Sequence, residues 1–329
     1  MKMHGVCRIA IAGLVWVSWV PALSAQTHAA TATKQSSVTY KKTHKTRADV
    51  LAASLASDWR VPKPENTLVL EFNHGRVLFE LAPDFAPTHI ANLTRLVREH
   101  YFDDLAVVRV QDNYVAQWGD PKATTPQAKS LGTASSQLDG EYFRPATGLA
   151  FTQVDSKDAY ASEVGFVAGF PTGRDGATGN AWLLHCYGAL GVGRDLASNS
   201  GNGAELYAVI GHSPRHLDRN VTLIGRALLG MEHLSSMPRG KGELGFYEPP
   251  IKGARIKRIV LASELPASQQ AHIEVLRTDT PTFAAWVAAS THRTEDWFID
   301  PAGSIEVCNV PLPTRPTQPD PSPANAEEL

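Results

Sequence analysis

The stretch 107–121, VVRVQDNYVAQWGDP, places one arginine among alternating apolar residues and follows it with an aromatic residue, a glutamine and a turn. Side chains alternate between the two faces of a strand, so Arg109 is expected to point opposite to Val108 and Val110. A strand arginine is often only a solvated surface residue, because arginine is rarely fully buried. The other interpretation places Arg109 on the wall of a peptide-binding groove, and the stretch alone leaves both open.

Three other blocks accompany this stretch. They are GRVLFELAPDFAPTHIANLTRLV (75–97), GNGAELYAVIG (201–211) and HLDRNVTLIGRALLGME (216–232). Together the four blocks resemble the cyclophilin-type peptidyl-prolyl isomerases, in the family's order, from about residue 67 to about residue 261. The resemblance implies a mainly β fold: a cyclophilin-like eight-stranded antiparallel barrel capped by two helices, with added loops and a C-terminal extension.

The resemblance implies peptidyl-prolyl cis-trans isomerase activity on proline-containing polypeptides. Amide resonance gives a rotation barrier of about 18–20 kcal/mol, and X-Pro bonds isomerise in roughly tens to hundreds of seconds. The reaction needs no nucleophile, metal or cofactor. A catalyst favours the twisted amide, whose pyramidal nitrogen accepts a hydrogen bond. By resemblance, Arg109 is the catalytic residue that donates this bond, as a fixed cation with several N–H groups.

The resemblance also implies a set of substrate-binding residues around the proline. They are Tyr114, Val115, Gln117, Gly193, Arg194, Glu205, Tyr207 and Leu217. Gln117 matches the family directly and is expected to bind the substrate backbone, whereas Glu205 stands where the family has glutamine. Glu205 cannot donate a hydrogen bond when ionised, and close to Arg109 it would form a charge-assisted pair that competes with the substrate.

Other departures make the expected floor smaller and less aromatic. Val107 and Val108 replace a usual Phe-His pair, Val221 falls where histidine is common, and His216 falls where many members have tryptophan. We therefore expect isomerase activity that is weaker or more selective than is typical. The alternative is a cyclophilin-like peptide-binding or chaperone module with little or no turnover, because a fold alone does not decide function.

Residues 1–25 have the pattern of an export signal. Lys2 and Arg8 form a basic start, residues 9–20 an apolar run, and residues 22–25 a small-residue exit. The apolar run is shorter than the roughly 20 residues of a spanning helix. We expect cleavage near Ala25, a periplasmic or otherwise exported protein, and no stable membrane insertion after signal removal. An uncleaved anchor is the alternative.

The net charge, the histidine spacing and the cysteine content limit which partners and bonds are expected. The formal net charge of -2 gives no basic excess, so nucleic acid is not an expected partner. Pro214 between His212 and His216 prevents the helix that would aim both at a metal. Once the signal leaves with Cys7, Cys186 and Cys308 remain, either paired in an oxidising compartment or as two buried thiols. The oligomeric state is not indicated.

Composition divides the chain into five segments. They are a signal peptide (1–25), a flexible leader with a short helix at 48–59 (26–62), a cyclophilin-like domain with an insertion at about 121–187 (63–264), a C-terminal extension packed on the core (265–313) and a disordered tail (314–329).

Within these segments the local patterns are more specific. The insertion is rich in glycine and proline, which predicts mostly loops, whereas Phe143, Phe166, Phe170 and Trp182 predict an ordered surface feature beside the groove. The extension is expected to hold a strand at 273–277 and a helix at 281–292 that starts at Thr280. Trp297 and Phe298 are expected to be packed.

Overall fold

A computed structural model describes residues 45–248, 251 and 253–317. The predicted signal peptide, most of the leader and the tail from residue 318 lie outside the described residues. Within the described part of the chain, none of the helices combines the length and the apolar character that a membrane crossing requires.

One curled antiparallel sheet of eight strands forms the centre of the molecule. In spatial order the strands are Arg258–Leu261, Thr67–Phe72, Gly75–Leu81, Leu223–Leu229, Ala189–Val192, Leu206–Val209, Val115–Gly119 and Ala106–Val110. Backbone hydrogen bonds of 2.8 Å from Val107 to Ala254 and from Ile256 to Leu105 link the two edges of the sheet. The predicted mainly β, eight-stranded antiparallel fold is confirmed.

The elements that open the sheet agree with their sequence patterns. Thr67–Phe72 and Gly75–Leu81 pair as a hairpin across the turn at residues 73–74, where Asn73 and His74 interrupt two apolar runs. The helix Pro87–Arg98 begins with proline at its first turn and buries an apolar face against the barrel interior. This face comprises Ile90, Leu93, Leu96 and Val97. The second cap is a single helical turn, Glu232–Ser235, whose Leu234 is fully buried.

The insertion forms a second antiparallel sheet of five strands. In spatial order these are Arg144–Pro145, Asn180–Leu183, Phe170–Asp175, Glu163–Val167 and Phe151–Val154. Most residues of the insertion lie outside these strands, as predicted, but the strands themselves were not predicted from the sequence. Ala168 and Gly169, both at positive φ, make the tight turn of the central hairpin. Phe166, Phe170 and Trp182 are buried, whereas Phe143 is exposed.

The N-terminal and C-terminal parts of the described chain share a third sheet, ordered Trp59–Arg60, Ile273–Leu276, Thr314–Pro316. The predicted strand at 273–277 is thus confirmed, but the prediction of disorder from 314 is wrong for Thr314–Pro316. These three residues pair with Ile273–Val275. Their backbone groups gain hydrogen bonds that a free tail would lack.

Two helices belong to the same region. The helix Pro281–Thr291 starts as predicted at Thr280, whose side chain accepts a hydrogen bond from the Phe283 N–H. The helix expected at 48–59 is shorter, Arg47–Ala52, and is followed by a 3-10 turn at Ala56–Asp58. The expected packing of Trp297 is wrong, because its side chain is 82% exposed.

A disulfide joins Cys186 to Cys308. Cys186 lies three residues after the strand Asn180–Leu183 of the insertion sheet, and Cys308 lies in a short 3-10 turn, Val307–Asn309. Of the two interpretations left open by the sequence, the paired one is confirmed. The bond fixes the C-terminal extension to the end of the insertion.

Candidate active site

Arg109 reaches the outer face of the sheet through a β-bulge. Its strand pairs Val107 with Trp118 but Arg109 with Gln117, so Val108 is the extra residue. Val107 and Val110 are therefore both buried in the barrel interior, while Val108 and Arg109 are half-buried on the outside. The predicted opposition of Arg109 and Val110 is correct. The predicted opposition of Arg109 and Val108 is wrong, because the bulge shifts the alternation by one residue.

Three hydrogen bonds hold the guanidinium of Arg109. Its Nε donates to the Leu244 carbonyl at 2.7 Å, its Nη1 donates to Gln117 Oε1 at 2.9 Å, and its Nη2 donates to Gln111 Oε1. A guanidinium carries five N–H groups, so two remain for another acceptor. Partial burial lowers the pKa of Arg109, and a guanidinium nevertheless stays a cation at neutral pH.

Two aromatic rings flank this guanidinium. Its central carbon lies 5.7 Å from the ring centre of Tyr114 and 5.5 Å from that of Phe246. Both distances fall within the range of cation–π attraction. The rings restrict the arginine to one orientation and supply apolar surface beside it.

Gln117 connects Arg109 to Glu205. Its side-chain nitrogen donates to Glu205 Oε1, while its side-chain oxygen accepts from Arg109. The direct pair between Glu205 and Arg109 considered from the sequence is wrong, because Gln117 lies between them. Burial raises the pKa of the Glu205 carboxyl, and the hydrogen bond from Gln117 opposes this effect. The side-chain amide of Gln117 thus separates the carboxyl group of Glu205 from the guanidinium of Arg109.

Gly193 lies against the same chain of side chains. Its N–H donates to the Glu205 carbonyl at 2.8 Å. A Cβ at this position would stand 3.3 Å from Glu205 Cγ and 3.5 Å from Gln117 Nε2. Arg194, the next residue, is exposed, and its guanidinium donates to the carbonyls of Asn220 and Asp195. The structure thus brings Gly193 to the candidate site and directs the Arg194 guanidinium to backbone carbonyls.

The remaining predicted residues divide into a rim and a buried layer. Tyr114 stacks on His216, with ring centres 6.3 Å apart and planes 5° apart, and Leu217 is half-buried in the neighbouring turn Arg215–Leu217. Val115 and Tyr207 are buried in a cluster with residues of the insertion, including Phe170 and Leu183. Val115 and Tyr207 support the site from beneath instead of forming an open floor.

Tyr207 begins a buried polar network. Its hydroxyl lies 2.8 Å from His185 Nε2, and His185 Nδ1 lies 2.8 Å from Asp218 Oδ1. Burial raises the pKa of Tyr207 well above 10, and burial also lowers the pKa of His185. The distances fit a neutral imidazole that donates to Asp218 and accepts from the tyrosine.

Asp218 extends this network to the insertion. Its other oxygen accepts from Arg215 Nε at 2.6 Å, and Arg215 donates to both oxygens of Asp158 at 2.6 and 2.9 Å. All of these side chains are nearly buried. Because a buried charge is stable only when it is paired, the network holds the insertion and the turn that carries His216 together.

Sequence reasoning did not identify three of the groups that hold Arg109. Gln111 is only two residues away along the chain, but nothing in the sequence indicates that its side chain turns back. The Leu244 carbonyl and the Phe246 ring come from a loop about 135 residues further on. Phe246 bridges to Arg109 through the backbone as well. Such a contact becomes visible only when the fold is known.

The described residues contain no group of three or more His, Cys, Asp or Glu side chains able to hold a metal ion. The curled eight-stranded sheet, with an arginine, a glutamine and aromatic rings on its outer face, is that of the cyclophilins. The sequence model of the family described as cyclophilin type peptidyl-prolyl cis-trans isomerase/CLD matches residues 67–261. The chain belongs to this family of enzymes, which act on proline-containing peptides.

Individual relatives agree with this assignment. A probable peptidyl-prolyl cis-trans isomerase of Brucella suis biovar 1 (strain 1330) is 26% identical over 190 residues, which are 57% of this chain and 80% of that protein. The peptidyl-prolyl cis-trans isomerase-like 1 of Gibberella zeae is 25% identical over 200 residues, 60% of this chain and 95% of that protein. The crystal structure of cyclophilin AquaCyp293 from Hirschia baltica has a TM-score of 0.63 and 25% identity. It covers 84% of this chain and 100% of that chain.

Proposed function

We propose that this protein isomerises X-Pro bonds in exported proteins and that Arg109 stabilises the twisted amide. The observation that carries the proposal is the guanidinium of Arg109, which is fixed by three hydrogen bonds on the outer face and keeps two N–H groups for a ligand. Electrostatic stabilisation is most effective when the donors are already oriented before the reaction.

The surroundings of Arg109 fit the other needs of this reaction. The proline ring is apolar, and the rings of Tyr114 and Phe246 offer apolar surface within 6 Å of the guanidinium. In the proposed step the substrate amide rotates, its nitrogen becomes pyramidal, and an Arg109 N–H donates to the lone pair. No covalent bond is made or broken, and the arginine keeps its proton.

The exported location rests on two observations. The sequence of residues 1–25 has the pattern of a signal peptide. The Cys186–Cys308 disulfide fits an oxidising compartment, since disulfides are rare in the cytosol. N-terminal sequencing of the mature protein from cell fractions tests this part of the proposal. A mature chain that begins near residue 26 in the exported fraction is expected, and an intact N-terminus in the cytosol would contradict it.

A specific observation favours the second candidate, a binding or chaperone module with little turnover. The bulk of Tyr207 and Val115 is covered by residues of the insertion, so the apolar floor beside Arg109 is reduced. A reduced floor weakens the binding of a proline ring. The presence of Arg109 with free donors outweighs this observation.

Turnover of a short proline peptide, measured by NMR exchange, decides between the two functions. We expect Arg109→Ala to lower kcat/KM by about a hundredfold, as for the loss of one oriented donor elsewhere. The matched control is Arg255→Ala, whose exposed side chain pairs with Asp104. Thermal unfolding checks that both variants are folded. A wild-type rate equal to the background would support the binding module instead.

A further inference from the structure

A concavity adjoins the candidate site. It has a volume of about 660 Å³ and is lined by residues from separate parts of the chain. They are residues 157–160, the loop 211–216, and Glu306, Cys308 and Asn309 of the C-terminal extension, together with Asn113, Tyr114 and Tyr187. We refer to it as the side cavity. Its volume lies within the range of about 300–1,000 Å³ that ligand pockets occupy.

Tyr114 joins the side cavity to Arg109. The ring centre of Tyr114 lies 5.7 Å from the central guanidinium carbon of Arg109, and the same ring stacks on His216 with 6.3 Å between ring centres. Each step is about as long as two residues of extended chain, which rises roughly 3.3–3.6 Å per residue. A peptide held at Arg109 therefore reaches the side cavity after about three to four residues.

The walls of the side cavity offer aromatic surface. Tyr160 is 46% exposed, Tyr187 is 51% exposed, and both line the side cavity. Exposed aromatic residues of this kind are enriched where proteins bind partners. The guanidinium of Arg215 lies over the ring of Tyr160, with 5.4 Å between its central carbon and the ring centre.

Three of the charged side chains at the side cavity, Arg215, Asp158 and Glu306, pair with one another. Arg215 donates to both oxygens of Asp158, and its guanidinium lies 3.8 Å from Glu306. A charged ligand would have to compete with these pairs. An aromatic or large apolar side chain would instead bury surface against the tyrosines without breaking an ion pair.

The walls are also held in place before any ligand arrives. Asp158 accepts hydrogen bonds from the N–H groups of Tyr160 and Ala161 at 2.8 and 2.9 Å, which closes the turn that presents Tyr160. The disulfide fixes Cys308 to Cys186, the residue that precedes Tyr187 in the chain. A preformed site loses less entropy on binding.

We infer that the side cavity binds the part of a polypeptide substrate that flanks the X-Pro bond. It takes an aromatic or large apolar side chain about three residues from the proline. This inference rests on the proposed isomerase function, and it deepens that function by giving the enzyme a preference for substrates longer than a tetrapeptide.

The test compares three proline peptides by NMR exchange. One is a tetrapeptide. The other two are longer: one has tryptophan at the third residue on each side of the proline, and the other has serine at the same two positions. The variant is Tyr160→Ala combined with Tyr187→Ala, and the control is Trp297→Ala, which removes an exposed ring outside the cavity lining. We expect wild-type kcat/KM to be about three- to tenfold higher for the tryptophan peptide. The double variant should lose this gain and keep its rate on the tetrapeptide.

Equal kcat/KM for the tryptophan and serine peptides in the wild type would overturn the inference, as would equal losses on all three peptides in the double variant. If the wild type does not turn over the tetrapeptide, the proposed isomerase function is wrong. In that case a titration of the tryptophan peptide decides the inference alone. A Kd about three- to tenfold weaker in the double variant supports it, and an unchanged Kd refutes it.

Discussion

Gln117 accepts a hydrogen bond from Arg109 through its side-chain oxygen, with 2.9 Å between Nη1 and Oε1. The amide is oriented this way because its nitrogen donates to Glu205, and an ionised carboxylate can only accept. Glu205 therefore determines which end of Gln117 faces the arginine. Glu205 acts on Arg109 through the amide of Gln117, and the side chain of Gln117 separates its carboxyl group from the guanidinium.

Replacing Glu205 with glutamine should stabilise the protein at neutral pH. Burial raises the pKa of Glu205 above its ordinary 4.5, so the fold favours the protonated acid. A group with a raised pKa contributes stability at low pH and loses it as the pH rises through the folded-state pKa. We expect Glu205→Gln to melt at a higher temperature than the wild type at pH 7 to 8. The difference should shrink as the pH falls toward 4.5.

Thermal unfolding between pH 4 and 8 measures this effect. Glu65→Gln is the matched control, because it makes the same replacement at a glutamate that is exposed in a short 3-10 turn. A difference between wild type and Glu205→Gln that stays constant across the pH range would contradict the assigned cause. A less stable Glu205→Gln at pH 7 would contradict the direction.

Removing the Cys186–Cys308 disulfide should destabilise the protein strongly. The two cysteines are 122 residues apart in sequence, and a cross-link that closes so long a loop restricts the unfolded chain most. We expect the double replacement Cys186→Ala and Cys308→Ala to lose about 2–5 kcal/mol of unfolding free energy. Urea unfolding measures the loss, with reduced wild-type protein as the comparison. Coincident urea midpoints for oxidised wild type and double variant would exclude a stabilising role.

The parts of the fold that were predictable from sequence are those with local periodicity. The first hairpin and the helix Pro87–Arg98 follow from alternation and from spacings of three and four. The insertion strands were missed because glycine and proline were interpreted as signs of loops. Gly173 is a strand residue that the Trp182 ring approaches closely, since a Cβ there would stand 2.9 Å from Trp182. The glycine at this position therefore permits close packing and does not indicate a loop.

The candidate site was predictable only in part, for a similar reason. The family resemblance indicated Arg109 and Gln117, and the structure pairs them across neighbouring strands. The bulge at Val108 was not predictable from alternation, because a bulge depends on what the partner strand offers. The depth of Tyr207 was also missed, since its covering residues come from an insertion whose own fold was misjudged.

Replacing Tyr207 with phenylalanine should destabilise the protein by about 1–3 kcal/mol, because the change leaves a buried acceptor without its partner. The tyrosine hydroxyl lies 2.8 Å from His185 Nε2, and His185 is fully buried. The matched control is Tyr142→Phe, whose hydroxyl donates to the Ser198 carbonyl in a more exposed setting. Water replaces that hydrogen bond, so the control should change stability by less than about 0.5 kcal/mol. Urea unfolding distinguishes the two variants, and equal losses would mean that the buried network around His185 contributes no more than a surface hydrogen bond.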